Sequence, residues 1–326
     1  MTELKQKLLR KINRDLEVIE SVLEENLSPH LELVKQAAGH LIFSGGKRLR
    51  PLLVVLSSRV CGHETPFVPK FASAFEFVHT ATLLHDDVID GASMRRGKTV
   101  AHSIYDTPVT VLTGDFLLAR ASYIAAETEN TRIIKIVASM TEEMSQGEIY
   151  QLIKKGDIHM TEEDYMEIIR CKTAILIQCA CRTGAVLAGA GRTEENALTA
   201  YGRHLGFVFQ IADDILDYTA ETRELGKTVG TDLKEGKLTL PLIHALNRAE
   251  KADRRFMEAV IAKEDFTESD FNTLLDLLEK YNGLDYAAKV ASDHLARAKT
   301  QLEIFAPSET KETLEMLADY ALHRTS

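Results

Sequence analysis

Tryptophan is absent from this 326-residue chain, as are low-complexity tracts and any linker rich in Gly, Ser or Pro. Without such a linker the sequence shows no clear domain break, although its length would accommodate two domains. The one candidate boundary, Asp157 to Thr161, reads as a helix-to-helix loop, so a single domain over residues 1–326 is expected. Two-residue hydrophobic alternation is scarce, which argues against a substantial β-sheet. No apolar run reads as long enough to span a bilayer. Met1 to Glu20 is charged throughout and lacks the apolar centre of a signal peptide, so a cytoplasmic location is expected. Positive charge is in deficit, with a formal net charge of -10. A general nucleic-acid binder would carry a basic surface, and that class is set aside. A local basic patch could still take an anionic substrate. Cysteine gives no redox or metal signature. Cys179 and Cys181 are two apart in an apolar helical stretch, and with Cys61 and Cys171 they read as free, buried thiols.

What the chain does have is helical periodicity. Leu16, Ile19, Leu23 and Leu27 recur at three and four residues, and Leu31, Val34, Ala38 and Leu41 do the same. Glycine and proline fall mostly between such segments, at Gly45-Gly46, Cys61-Gly62-His63, Thr107-Pro108, Gly191 and Pro307-Ser308. An all-α protein of about ten or more helices is expected.

Two segments echo each other. Leu83-Leu84-His85-Asp86-Asp87-Val88-Ile89-Asp90 and Phe209-Gln210-Ile211-Ala212-Asp213-Asp214-Ile215-Leu216-Asp217 are both apolar helical runs ending in Asp-Asp-x-x-Asp. On a helix, residues three and four apart share a face. Clustered carboxylates on a largely buried helix resist desolvation and call for a cation. Oxygen-only ligands suit Mg²⁺ or Mn²⁺, and Mg²⁺ commonly completes its octahedron with water and substrate phosphate. Two such clusters could clamp a diphosphate through bridging metals. Basic runs accompany them: Met94-Arg95-Arg96-Gly97-Lys98, Gly226-Lys227, Thr231-Asp232-Leu233-Lys234-Glu235-Gly236-Lys237, and Gly45-Gly46-Lys47-Arg48-Leu49-Arg50-Pro51. Arginine forks match phosphate oxygens. The last run is not a P-loop, because its Gly/Lys spacing differs. Together the signals imply two polyanion subsites beside apolar helices able to house a long hydrocarbon tail.

These motifs resemble the trans-isoprenyl diphosphate synthases, or polyprenyl synthetases. The matching pieces are GGKRLRP at Gly45 to Pro51, HDDVIDGASMRRG at His85 to Gly97, GDFLL at Gly114 to Leu118, SQGEIYQ at Ser145 to Gln151, Lys172-Thr173, FQIADDILD at Phe209 to Asp217, and GKTVGTDLKEGKLTLP at Gly226 to Pro241. They occur in family order over most of the chain. The resemblance implies an isoprenoid synthase fold, a helical bundle around a deep central cavity, in a homodimer. It implies an enzyme that joins an allylic diphosphate to isopentenyl diphosphate by ionisation, condensation and elimination, using about three Mg²⁺ ions, with Mn²⁺ as a substitute. Asp86, Asp90 and Asp87 are implied to bind Mg²⁺ on the allylic diphosphate. Asp213 is implied to take a further ion, supported by Asp214 and Asp217. Arg95 is implied to contact the allylic diphosphate directly, with Lys172, Lys227 and Lys237 as further cationic contacts. Lys47, Arg50, His79 and Arg96 are implied to hold isopentenyl diphosphate. Thr173 and Gln210 would line the reaction centre.

Blander readings stand beside these. His79 could be a core histidine, Glu148 and Gln151 a polar helix face, and Arg48 an ordinary surface arginine. His85 invites a metal-ligand reading that an all-oxygen Mg²⁺ site does not need. For product length, the implied floor lies one or two turns before Asp86, at Thr82, Ala81, Val78 and Phe77. Ala81 and Thr82 are small, so the floor at that level is missing. A long-chain product of about seven to nine isoprene units is expected, as in octaprenyl-type synthases of isoprenoid quinone tails, with geranylgeranyl diphosphate as the alternative. Peripheral membrane contact for product release is a further expectation. Rival classes are a class I terpene cyclase, a phosphohydrolase and a non-catalytic partner subunit. Lys47, Arg50 and Arg96 argue against the first, and both intact aspartate clusters against the last.

Overall fold

The computed structural model describes residues 3–95, 97–219, 230–263 and 266–323. Among these the chain is helical nearly throughout: α1 (Glu3–Asn26), α2 (Glu32–Ile42), α3 (Leu49–Val60), α4 (Phe67–Ile89), α5 (Ala101–Tyr105), α6 (Thr107–Ala126), α7 (Thr131–Lys154), α8 (Glu162–Ile169), a π-turn (Arg170–Ala174), α9 (Ile175–Leu187) and α10 (Arg192–Thr219). They are followed by α11 (Thr231–Lys234), α12 (Leu240–Arg248), α13 (Lys251–Ile261), α14 (Glu268–Lys280), α15 (Gly283–Leu302) and α16 (Glu309–His323). The described strand structure is one antiparallel hairpin, β1 (Met94–Arg95) and β2 (Lys98–Thr99), pairing Met94 with Thr99 and Arg95 with Lys98. The all-α expectation holds.

The helices form two compact units, one of Met1–Glu142, Leu176–Gly202 and Gln301–Leu317, the other of Glu143–Ile175, Arg203–Thr300 and Ala318–Ser326. In the first, α4 is the central element and packs against α1, α3 and α6. Its burial is nearly all-round because its apolar residues are not confined to one stripe: Phe71, Phe75, Phe77, Val78, Ala81 and Leu84 are all enclosed. The second unit closes around Tyr165, Ile168, Phe207, Ile211, Leu242, Met257, Leu274 and Leu278.

Local chemistry sets the element ends. The loop expected at Asp157 to Thr161 lies between α7 and α8. Thr161 closes it with a capping box, accepting from the Asp164 amide at 3.1 Å while the Asp164 carboxylate accepts from the Thr161 amide at 3.0 Å. Proline stands in the first turn of α6, where its missing N–H costs nothing. Two details depart from the periodicity reading. Leu31 is the extended N-cap of α2 and is 67 % exposed, whereas Ala37, Ala38, Leu41 and Ile42 form the buried stripe. And α6 is long and apolar enough, by length and composition, to cross a membrane. The sequence reading missed it because Asp115 and Arg120 interrupt the run. Here α6 packs along α4, and Arg120 Nε donates to the Asn26 carbonyl at 2.9 Å.

An imidazole pair ties α10 to α15 in the second unit, with His204 Nδ1 and His294 Nδ1 2.9 Å apart beside the Phe207 ring. One ring must donate and the other accept, so the accepting ring is neutral. Burial, His204 and the nearby Arg297 and Arg203 push His294 down to about 4, with Asp293 opposing. Burial and the same arginines lower His204. Below the unfolded value of 6.5 the unfolded chain takes up protons that the native pair refuses. Stability is therefore expected to fall as pH drops from 6.5 towards 4. Thermal denaturation of the wild type and of His294→Gln across that range checks it. The variant should lose stability less steeply, and parallel curves would exclude the pair as the cause.

Candidate active site

The first aspartate cluster ends α4. Asp90 is its C-cap, and Asp86 and Asp90 share a partly exposed helix face with His79 and Thr82. Asp87, rotated about 100° from Asp86, turns inward and is 1 % exposed. Its carboxylate accepts from Arg95 Nε at 2.5 Å, across from the hairpin. Burial raises the Asp87 carboxyl from its ordinary value, assisted by Asp86 and opposed by Arg95. Removing one partner of such a buried pair costs about 3–5 kcal/mol, so Asp87 fixes the hairpin that carries Arg95. His85 faces α6, where its Nε2 donates to the Val111 carbonyl at 3.1 Å and its ring fills the space a side chain at Gly114 would need.

The basic loop lies in the same unit. Lys47 is exposed and Arg50 half-buried in the first turn of α3. Arg48, read as a surface residue, is instead 3 % exposed and ion-paired with Glu20 and Glu76. The chain turns back on itself here, and α1 and α4 supply acceptors distant in sequence.

The second unit carries the other half of the expected set. Between α8 and α9 the helix widens into the π-turn, which contains Lys172 and Thr173. Such turns are rare and concentrate at functional sites. Two glycines admit it. A Cβ on Gly147 would lie 2.6 Å from Cys171 Cβ, and one on Gly206 2.5 Å from Ala174 Cα. Lys172 Nζ donates to Glu148 at 2.6 Å and to Gln151 at 2.9 Å, which gives both polar α7 residues a definite role. Thr173 Oγ1 donates to Gln210 Oε1 at 2.7 Å, and Gln210 Nε2 donates to Asp214 Oδ1 at 2.8 Å. The other Asp214 oxygen accepts from Tyr165 Oη at 2.5 Å.

The chain Tyr165, Asp214, Gln210, Thr173 has one direction of donation. The Asp214 carboxylate fixes which end of the Gln210 amide points at Thr173. The Thr173 proton is then spent on Gln210, and its oxygen lone pairs are left for another group. These residues line a cavity of about 110 Å³ together with Gln151, Lys154, Lys155, Lys172, Asp232 and Lys237. Burial and Asp232 raise the Asp214 carboxyl well above its ordinary value, against the bonds from Tyr165 and Gln210. Asp213 is exposed. Asp217 accepts from the amides of Thr231 and Asp232 at 3.2 and 3.1 Å and so caps α11. Lys237 pairs with Glu235 at 2.6 Å. Lys227 and Arg96 lie outside the described residues.

Among the described residues no three His, Cys, Asp or Glu side chains are gathered into a ready-made ligand cage. The donor set fits Mg²⁺ all the same. That ion takes one or two carboxylates per site and keeps water and phosphate oxygens for the rest. Asp86 with Asp90, and Asp213, match that pattern, whereas Asp87 and Asp214 are turned to protein partners.

The all-helical architecture with this double carboxylate set is the isoprenoid synthase fold. A crystal structure of a polyprenyl synthase from Caulobacter crescentus, complexed with calcium and isoprenyl diphosphate, superposes with a TM-score of 0.93 at 40 % identity, covering 98 % of both chains. A decaprenyl diphosphate synthase from Rhodobacter capsulatus does so with a TM-score of 0.92 at 36 % identity, covering 98 % of this chain and 99 % of the other. The polyprenyl synthetase family profile matches residues 31–278, and the chain belongs to that family. The octaprenyl diphosphate synthase of Haemophilus influenzae is 37 % identical over 310 residues, 95 % of this chain and 94 % of the relative. That of Escherichia coli is 34 % identical over 320 residues, 97 % and 99 % respectively.

Sequence reasoning missed Tyr165, which belongs to no matching motif and lies 49 residues from its partner. Tyr165→Phe removes one hydrogen bond to a buried carboxylate, worth about 1.5–3 kcal/mol, and frees Asp214 to rotate. Prenyl transfer is expected to slow about tenfold or more, with Michaelis constants within about threefold. Steady-state kinetics with a thermal-shift control checks this, and unchanged turnover would remove Tyr165 from the site.

Proposed function

We propose that the chain is a Mg²⁺-dependent trans-prenyltransferase that extends an allylic diphosphate with successive isopentenyl diphosphate units to a long-chain product of about C35–C45, in keeping with octaprenyl-type relatives. The observation that carries this reading is the cavity at the π-turn, where an ammonium, a hydroxyl, an amide and a second-cluster carboxylate meet. The family profile spans residues of both compact units, which supports one polyprenyl synthetase domain over 1–326.

In this reading Asp86, Asp90 and Asp213 hold the metal ions, with Asp87, Asp214 and Asp217 in support. Bound Mg²⁺ supplies electrostatic stabilisation of the departing diphosphate. Arg95, Lys172 and Lys227, with Lys237, bind the allylic diphosphate. Lys47, Arg50, His79 and Arg96 bind isopentenyl diphosphate. The allylic C–O bond breaks, and its electron pair leaves with the diphosphate. Thr173 and Gln210 direct oxygen dipoles at the delocalised cation, while the isopentenyl double bond forms the new C–C bond. The proton lost in restoring a trans double bond passes to the released diphosphate. Walls that exclude water protect the cation.

Chain length depends on the flank of α4. Thr82 shares the open stripe of Asp86, whereas Phe77, Val78 and Ala81 are buried at 0 %, 1 % and 0 % exposure. Nine residues at about 100° each put Phe77 on the side opposite Asp86, so its bulk does not face the metals. The small residue at Thr82 leaves the tail a path.

Incubated with Mg²⁺, labelled isopentenyl diphosphate and farnesyl diphosphate, the protein is expected to give a product ladder ending at about 35–45 carbons, lost with a chelator. Thr82→Phe should shorten the ladder. Termination at 20 carbons in the wild type would keep the enzyme class and reject the open floor. No extension of any allylic primer by folded, metal-loaded protein would reject the reaction.

Homodimer formation belongs to the same proposal. Ile149, Leu152 and Ile153 on α7 are 57 %, 48 % and 70 % exposed, a large apolar stripe for a monomer to leave in water. Light scattering should give twice the 36.4 kDa chain mass, and Ile153→Glu should lower it. A monomeric wild type would reject the dimer. Cytoplasmic residence with peripheral membrane contact for product release completes the proposal.

A further inference from the structure

Arg48 sits between two residues proposed to bind substrate, yet its side chain is buried whereas Lys47 is exposed. It is the N-cap of α3, with left-handed backbone angles of φ 46° and ψ 32°. That conformation is unfavourable for any residue with a side chain, so tertiary contacts must hold it. They are numerous. Arg48 Nε donates to Glu20 at 2.6 Å, Nη1 to Glu76 at 2.8 Å, and Nη2 to the Ile42 carbonyl at 2.6 Å and to Glu20 at 3.2 Å. Its side chain is 2 % exposed, that of Glu76 4 % and that of Glu20 45 %.

A guanidinium has five N–H donors in a fixed plane, and four of the directions are used. The surrounding carboxylates outnumber it two to one, so Arg48 adds no net positive charge for a phosphate to feel. Its place in the chain is what matters. Lys47 precedes it and Arg50 follows two residues later. Glu76 lies one helical turn before His79 on α4. The bond to Glu76 therefore fixes the basic loop against the turn of α4 that carries His79. The bond to Ile42 fixes the same loop to the end of α2, and Glu20 anchors it to α1.

We propose that Arg48 is a positioning residue for isopentenyl diphosphate: buried against Glu20, Glu76 and the Ile42 carbonyl, it holds the loop bearing Lys47 and Arg50 in register with His79. The inference rests on the reading of Lys47, Arg50 and His79 as that subsite. Lysine cannot replace the fork, because one ammonium cannot reach three acceptors arranged around a plane.

The test is full-length Arg48→Lys, with Lys47→Ala as a separate probe of the subsite. Michaelis constants are measured for isopentenyl diphosphate and for the allylic primer independently, with thermal denaturation alongside. Arg48→Lys is expected to raise the constant for isopentenyl diphosphate about tenfold or more and to leave that for the primer within about twofold. A merely structural role would lower the melting temperature and the active fraction without separating the two substrates. If Arg48→Lys does not fold, Glu20→Gln takes its place, since Glu20 is half-exposed and the change keeps its shape. A selective rise of about threefold is expected there. If the Arg48 or Glu20 variant leaves both constants unchanged while Lys47→Ala raises that for isopentenyl diphosphate, the positioning role is overturned and the subsite stands. If Lys47→Ala also leaves it unchanged, both are overturned.

Discussion

An ionisable side chain withdrawn from water must find its compensation inside the protein, and the local arrangement of the candidate residues in each unit follows from that constraint. Asp87 lies within α4 and draws Arg95 onto it. Asp214, buried on α10, draws Tyr165 and Gln210. Arg48 draws Glu20 and Glu76, and Lys172 draws Glu148 and Gln151. In each case the partner that satisfies the group also fixes a side chain or loop of the candidate set. Because breaking such pairs is costly, each group of candidate residues is held by the same forces that make its charges tolerable.

Helical rotation explains why aspartates of one motif take different environments. Adjacent residues on a helix differ by about 100°. Asp86 and Asp90 therefore fall on one face, and Asp87 is carried into the core. In the second cluster Asp213 is exposed and Asp214 enclosed, while Asp217 reaches the amides that open α11. The repetition of Asp-Asp-x-x-Asp is a repetition of this division: outer carboxylates suited to a hydrated cation, and an inner one that braces its neighbours.

The π-turn adds a positional element that regular helix geometry could not supply. An extra residue in one turn displaces Lys172 and Thr173 from the faces they would occupy in a continuous helix. Close approach of Gly147 on α7 and Gly206 on α10 leaves the turn little room to relax. Lys172 meets its partners on α7, and Thr173 meets Gln210 on α10. Two adjacent residues thus face two different helices, Lys172 towards α7 and Thr173 towards α10.

Much of this was legible in the sequence. The helical period, the two aspartate clusters and the basic runs determined the all-α class and the diphosphate-and-magnesium reading, because three- and four-residue spacings are local properties of the chain. The loop at Asp157 to Thr161 was equally local, since its capping box closes within four residues. Tertiary structure alone decided the rest. Arg48 read as a surface residue because its acceptors, Glu20 and Glu76, are each 28 residues away. Tyr165 carried no signal because its partner is 49 residues distant. The inward turn of Asp87 needed Arg95 brought back by the hairpin. The membrane-like length of α6 was hidden by two charges whose solvation depends on what packs beside them. Spacing along a helix determines which groups share a face, but only packing decides whether that face meets water, a partner or a substrate.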